Sequence, residues 1–174
     1  MKSIAQKKYI LLLILILFLI FGVSLFKHRT FSSETKVHYH AGFVVFQENK
    51  KLDFSDSKYM NISPCTVRKG DTTSEDPQVE KAHLHDNVGT VVHIEREGAK
   101  WKDLFTNIHY PIDYATTRGF INGAEVKNYQ DQPINLDDSL VVFIGNNDIN
   151  AGLNQAIQKD YIEKIGTQSK SCGQ

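Results

Sequence analysis

Five of the seven histidines in this 174-residue chain occur in patterns that suit metal binding. They form two His-x-His pairs and one further histidine in a strand-like segment: His38, His40, His83, His85 and His93. Alternate residues of a β-strand point to the same face about 6 to 7 Å apart, so each pair presents two imidazoles side by side. A metal ion needs several nitrogens about 2 Å from one point. The spacing therefore predicts that these five histidines bind a metal, whereas His28 and His109 stand alone.

The residue types favour zinc, with copper as the alternative. Imidazole is a good ligand for zinc, copper, nickel and iron. A blue-copper centre would add a cysteine and usually a methionine, and Cys65 and Met60 lie close together in the sequence. Two interpretations without a metal stay open: a pH-sensitive histidine surface, or strands whose histidines simply face water.

Two carboxylates lie beside the candidate ligands in the sequence. Asp86 follows the second pair, and Glu95 comes two residues after His93. They can be ligands, partners of an imidazole N–H, a general base, or ordinary solvent-facing groups. If three histidines hold a zinc-bound water of lowered pKa, Glu95 or Asp86 would move protons in a hydrolase or hydratase. With no G-x-S-x-G nucleophile motif, we favour a metal-binding module over an enzyme.

The N-terminal region predicts a membrane anchor. Residues 9–26 are apolar and uncharged, and as a helix they would span about 27 Å, close to the thickness of a bilayer core. A basic stretch precedes them, and no small-x-small cleavage site follows, which favours an anchor over a cleaved signal peptide. We expect residues 1–8 in the cytoplasm and the C-terminal domain on the extracytoplasmic side of the cell membrane. An envelope protein is a possible partner, and a metal-free interaction domain is the third candidate function.

The remaining chain predicts an α+β fold. In full, the expectation is an N-terminal transmembrane helix, then a β-rich domain with a mainly antiparallel sheet, one short packed helix and a C-terminal helix. Residues 27–36 form a tether, 37–150 the domain, and 151–174 the C-terminal helix and tail. Within the domain, Asn122-Gly123 predicts a hairpin turn, 100–108 a short amphipathic helix and 140–144 a buried strand. Residues 154–165 are expected to be the C-terminal helix.

Two resemblances accompany these patterns. The segments HYHAGF, at 38–43, and AHLHD, at 82–86, are similar to uncharacterised single-pass extracytoplasmic proteins rich in histidine, which implies a location rather than a reaction. The segments FINGAEV, at 120–126, and PINLDDSLVVFIG, at 133–145, resemble the second half of β-grasp domains. That second resemblance implies a fold only, since the chain does not end in the Gly-Gly of the β-grasp sulfur carriers.

The cysteines and the net charge disfavour two further classes of function. Cys65 and Cys172 are the two cysteines, and an oxidising compartment favours one disulfide between them. Closing so long a loop would contribute on the order of 4 kcal/mol. With no C-x-x-C, a thioredoxin-like activity is disfavoured. The 20 basic and 20 acidic residues balance, whereas nucleic-acid binders usually carry a basic excess, so no nucleic-acid partner is expected.

Overall fold

The computed structural model describes residues 36–61 and 76–168. The chain divides into two units, Met1–Ser33 and Glu34–Gln174, and all described residues belong to the second. They form a six-stranded sheet: β1 Lys36–Gln47, β2 Lys50–Lys51, β3 Val91–Arg96, β4 Thr117–Ile121, β5 Ala124–Glu125 and β6 Ser139–Ile144. The helices in these ranges are α1 Pro77–Lys81, α2 Trp101–Asn107, α3 Ile149–Leu153 and α4 Lys159–Gln168. Short 3-10 turns occupy Ser57–Tyr59, Tyr114–Thr116 and Tyr129–Asp131.

The long strand β1 organises the sheet. The strand order is β2-β1-β6-β4-β5, and β3 pairs with β1 as well. The first half of β1 pairs antiparallel with β3, and its end pairs antiparallel with β2. Gly42 to Gln47 run parallel to Ser139 to Ile144 of β6, so the first and last strands are neighbours at the centre of the sheet.

Both faces of the sheet are covered. Successive side chains of β1 point to opposite faces. Phe43 and Val45 pack into the larger hydrophobic cluster with α2, whereas Val44 and Phe46 pack into a second cluster with residues of α3 and of the chain that follows it. The sheet therefore separates an α2 layer from a layer formed by the C-terminal helices.

Several local predictions are confirmed. Residues 100–108 contain α2, whose Trp101, Leu104 and Phe105 are buried at the expected helical spacing. The Asn122-Gly123 turn joins β4 to β5, and both residues have the positive φ that such a turn requires, 52° and 82°. The predicted buried strand is β6.

The C-terminal region and the segment that contains α1 differ from prediction. Instead of one helix over 154–165, the chain forms α3 and α4. Helix α3 begins at Ile149 because Asp148 caps it by accepting a hydrogen bond from Ala151 N at 3.0 Å. Helix α1 was not predicted from the sequence. Asp76 caps it by accepting from Gln78 N at 2.9 Å, and Pro77 occupies its first turn.

The predicted fold class is wrong in its N-terminal transmembrane helix. The α+β class is confirmed, and four of the five strand pairings among the described residues are antiparallel, although the sheet is mixed because β1 and β6 run parallel at its centre. Among the helices of residues 36–61 and 76–168, none is long and apolar enough to cross a membrane, against the predicted N-terminal transmembrane helix. Residues 9–26, Cys65 and Cys172 lie outside the described residues. The disulfide, the extracytoplasmic location and the envelope partner stay predictions.

Candidate metal centre

Three extended segments bring the histidines of both pairs next to His93. His40 of β1 lies directly opposite His93 of β3. On the other side of β3, His83 forms an isolated antiparallel bridge with His93, with hydrogen bonds from His83 N to His93 O at 3.0 Å and from His93 N to His83 O at 2.9 Å. Residues directly opposite in antiparallel pairing point to the same face. The three rings therefore form a row across three neighbouring segments.

All five histidines lie on one face of the sheet, the face on which α4 contacts His40. The residues between or beside them, Ala41, Leu84, Val92 and Ile94, belong to the buried cluster on the α2 side. By alternation, the histidines point the other way. His93 is thus separated from Val92 and Ile94, and Leu84 from the two histidines beside it.

His38, His40 and His93 form the tightest group. One ring nitrogen of each lies within 4.8 Å of the others. His40 Nε2 and His93 Nδ1 are 3.0 Å apart, and the rings of His38 and His40 have centroids 4.9 Å apart. Three nitrogens bound to one zinc ion about 2.0 to 2.1 Å away are separated by about 3.4 Å, so small ring rotations complete the geometry. This outer triad can hold a metal ion.

The three histidines of the outer triad differ in their exposure to solvent. His38 is exposed, His40 is half-buried and His93 is buried. Its open end therefore lies at the N-terminal part of β1, where His38 meets solvent. An ion can reach the triad from that side without opening the core.

His83 and His85 are both fully buried, as His93 is, whereas His38 and His40 are not. The ring centroid of His85 is 3.5 Å from that of His93 and 5.7 Å from that of His83. The Nδ1 of His83 is 3.2 Å from the Val79 carbonyl oxygen, to which it donates, and His85 Nδ1 is 2.9 Å from the Asp86 carboxylate. The His83 ring is thus held by the Val79 carbonyl, and the His85 ring contacts the Asp86 carboxylate.

Burial keeps these imidazoles neutral. Burial first, and then the neighbouring imidazoles, lowers the pKa of His40 and of His83 to about 4. The same two causes lower the pKa of His93 well below its ordinary range. Burial also lowers the pKa of His85, although the Asp86 carboxylate opposes the shift. A metal binds the neutral ring, so these histidines are in the binding form at neutral pH.

The two predicted carboxylates take different places. Asp86 contacts His85 Nδ1 and does not join the outer triad. Glu95 is half-buried on β3, two residues beyond His93, and it is not a member of the triad either. The roles predicted for these two groups stay predictions.

Comparison with protein-family models, curated proteins and solved structures finds no match for this chain. The two resemblances noted in the sequence stay predictions. The functional interpretation therefore rests on the chemistry and geometry of the residues themselves.

Gly166 of α4 is part of the site that the sequence reading missed. A Cβ built at this position would lie 2.6 Å from His40 Nδ1 and 2.8 Å from His40 Cε1. Only glycine lets the last turn of α4 rest directly on the imidazole. The signal in the sequence was weak: one glycine at the end of an amphipathic helix, where glycine is common for other reasons.

Substitution G166A should lower metal affinity by about tenfold while leaving the domain folded, because the added methyl group displaces the ring of His40. Alanine is also the better helix former, by about 1 kcal/mol, so α4 should survive. Metal titration monitored by calorimetry, with circular dichroism for the fold, tests this. The control is T167A, which changes the exposed neighbouring residue. Equal affinities for G166A and T167A would contradict the expected contact.

Proposed function

We propose that this protein binds a transition-metal ion through His38, His40 and His93, with zinc as the first candidate and copper as the second. The observation that carries the proposal is the convergence of the three ring nitrogens within 4.8 Å of one another. Neutral imidazoles are borderline ligands that suit both metals. Calcium and magnesium prefer oxygen ligands and fit this set poorly.

A binding role suits the site better than a catalytic one. Three histidines leave one coordination position of a tetrahedral zinc ion for water, a partner's ligand or a substrate. The grading from exposed His38 to buried His93 suits capture and release of an ion at the surface.

Zinc or copper should raise the melting temperature of the purified full-length protein. An ion present at 100 times its dissociation constant stabilises the folded state by about 2.7 kcal/mol. For a chain of this size, that corresponds to a rise of about 5 to 10 °C. Differential scanning calorimetry with and without one equivalent of metal measures the shift, and elemental analysis of the protein as purified identifies the natural ion.

The matched variants are H93Q and H109Q. H93Q removes the central ligand and should abolish the shift, whereas H109Q changes an exposed histidine just beyond α2, on the opposite side of the sheet, and should behave as the wild type. The proposal is wrong if neither zinc nor copper changes the melting temperature of the wild type.

A further inference from the structure

We infer a second, inner metal position formed by His83 and His85, which shares His93 with the outer triad. The inference rests on the proposed function, since it assigns the two remaining histidines of the same cluster to the same ion. Each position then consists of one His-x-His pair and the common ring of His93. The outer position opens to solvent at His38, and the inner position is closed.

The first support comes from the ring of His83. Its Nδ1 donates to the Val79 carbonyl oxygen, which leaves the lone pair on Nε2. That Nε2 is buried and has no hydrogen-bond partner among the described residues. An imidazole fixed through one nitrogen by a backbone carbonyl, with the other nitrogen free to bind, is the usual arrangement of a metal-ligating histidine.

The second support is independent and comes from His85. Its Nδ1 faces the Asp86 carboxylate at 2.9 Å, which likewise directs Nε2 to the role of ligand. Asp86 adopts a positive φ of 57°, so the chain turns sharply directly after the histidine. One ring of the pair is thus held by a hydrogen bond to a backbone carbonyl of α1, and the other contacts a carboxylate of this turn.

The distances of His83 from the other two rings are close to those of a shared ion. Two imidazoles bound to one tetrahedral zinc ion, with Zn–N bonds of about 2.0 to 2.1 Å, have ring centroids about 5 Å apart. The centroid of His83 lies 5.7 Å from that of His85 and 5.9 Å from that of His93, whereas the centroids of His85 and His93 are 3.5 Å apart, so one of these two rings has to turn away from the other when both bind the same ion. The centroid of His93 is 4.2 Å from that of His40, so His93 adjoins both sets.

The two positions fill one at a time. They share His93, and two divalent ions at so short a distance repel each other strongly in a poorly solvated environment. An ion therefore enters at the exposed His38 and moves inward as His93 exchanges one pair of partners for the other. The outer position governs how fast the ion is captured, and the inner position governs how long it stays.

The decisive variant is H38Q/H40Q, which changes only the exposed and the half-buried histidine. With zinc alone as the probe, the full-length variant should still bind one ion per chain, as measured by native mass spectrometry. Its association should be at least tenfold slower than that of the wild type in stopped-flow measurements. The reverse variant, H83Q/H85Q, should bind one ion and lose it to a chelator at least tenfold faster. H109Q is the control for both.

The outcomes separate the two claims. If the wild type binds one zinc ion and H38Q/H40Q binds none, the inner position is wrong and the proposed function stands. If the wild type binds none, the proposed function itself fails. The single variant H38Q keeps the test valid if H38Q/H40Q does not fold, because His38 is exposed and its replacement should leave the domain folded. Long-range ¹⁵N–¹H spectra of H38Q should show the ring nitrogens of His83 and His85 shifting when zinc binds, and unchanged resonances would overturn the inference.

Discussion

The metal-free protein should lose several kcal/mol of its free energy of unfolding as the pH falls from 7.5 to 5. The cause is the buried histidine cluster. Burial and mutual repulsion lower the pKa of His83 from its ordinary 6.5 to about 4, and lower that of His93 further. In the unfolded chain these rings take up protons near pH 6.5, whereas in the folded domain they stay neutral.

The sign follows from proton counting. Between pH 6.5 and pH 4 the unfolded state binds more protons than the folded state, so stability rises with pH in this window. The stabilisation is fully present above pH 6.5 and is lost as the pH falls towards 4. For His83 alone, a pKa of about 4 against 6.5 corresponds to about 2 kcal/mol lost by pH 5. Bound metal holds the rings neutral and should move the loss to lower pH.

Urea unfolding followed by fluorescence tests this expectation, because Trp101 is the single tryptophan and is fully buried. Measurements at pH 7.5, 6.0 and 5.0 in the presence of a chelator cover the window in which few carboxylates titrate. The control H109Q should follow the wild-type curve. A urea midpoint that does not change between pH 7.5 and 5.0 would show that the cluster is not buried and neutral as described.

Substitution R96M should cost about 3 to 5 kcal/mol of unfolding free energy, because it leaves the charge of Glu80 buried without its main partner. The Glu80 side chain is only 2% exposed, and its Oε2 contacts Nη2 of Arg96, which is 16% exposed. Glu80 belongs to α1, which also supplies the Val79 carbonyl for His83. Loss of the ion pair therefore also loosens the support of the inner histidines.

Lys36 offers a matched control for R96M. Its Nζ is 3.5 Å from the other oxygen of Glu80, but its side chain is 66% exposed, so K36M should cost less than about 1 kcal/mol. The double variant E80M/R96M removes both buried charges and should recover most of the loss. Chemical denaturation of the three variants measures the differences. Equal effects of R96M and K36M would contradict the assignment of Arg96 as the partner that compensates the buried charge.

The sequence predicted His38, His40 and His93 as metal ligands, and the structure brings these three rings together, because strand periodicity is a local property. Two His-x-His pairs and the alternation around His93 were enough to place five rings on one face, opposite Leu84, Val92 and Ile94. The sequence did not predict which of the five histidines are exposed and which are buried. His40 and His83 both lie opposite His93, and their difference in burial, half-buried against fully buried, depends on elements outside either segment.

The contacts that α1 and α4 make with the histidines could not be predicted from the sequence. The contact of Gly166 with His40 joins residues far apart in the chain, and the Val79 carbonyl offers no side-chain signal at all. The mixed sheet was missed because β1 and β6 both read as ordinary buried strands, and nothing in either segment specifies a parallel partner. Helix α1 was missed because Asp76 and Pro77 stand in a stretch rich in turn residues.

The parallel pairing of β1 with β6 bears on how the protein is made. Residues 42 to 47 find their central neighbour only at residues 139 to 144, so the sheet closes through a contact of high sequence separation. Such topologies fold slowly, since the loop between the strands must be ordered before the contact forms. A chain still on the ribosome exposes the histidines of β1 before β6 has been synthesised. The surroundings of His40 are therefore completed late, because the turn of α4 that carries Gly166 and contacts this ring follows β6 in the chain.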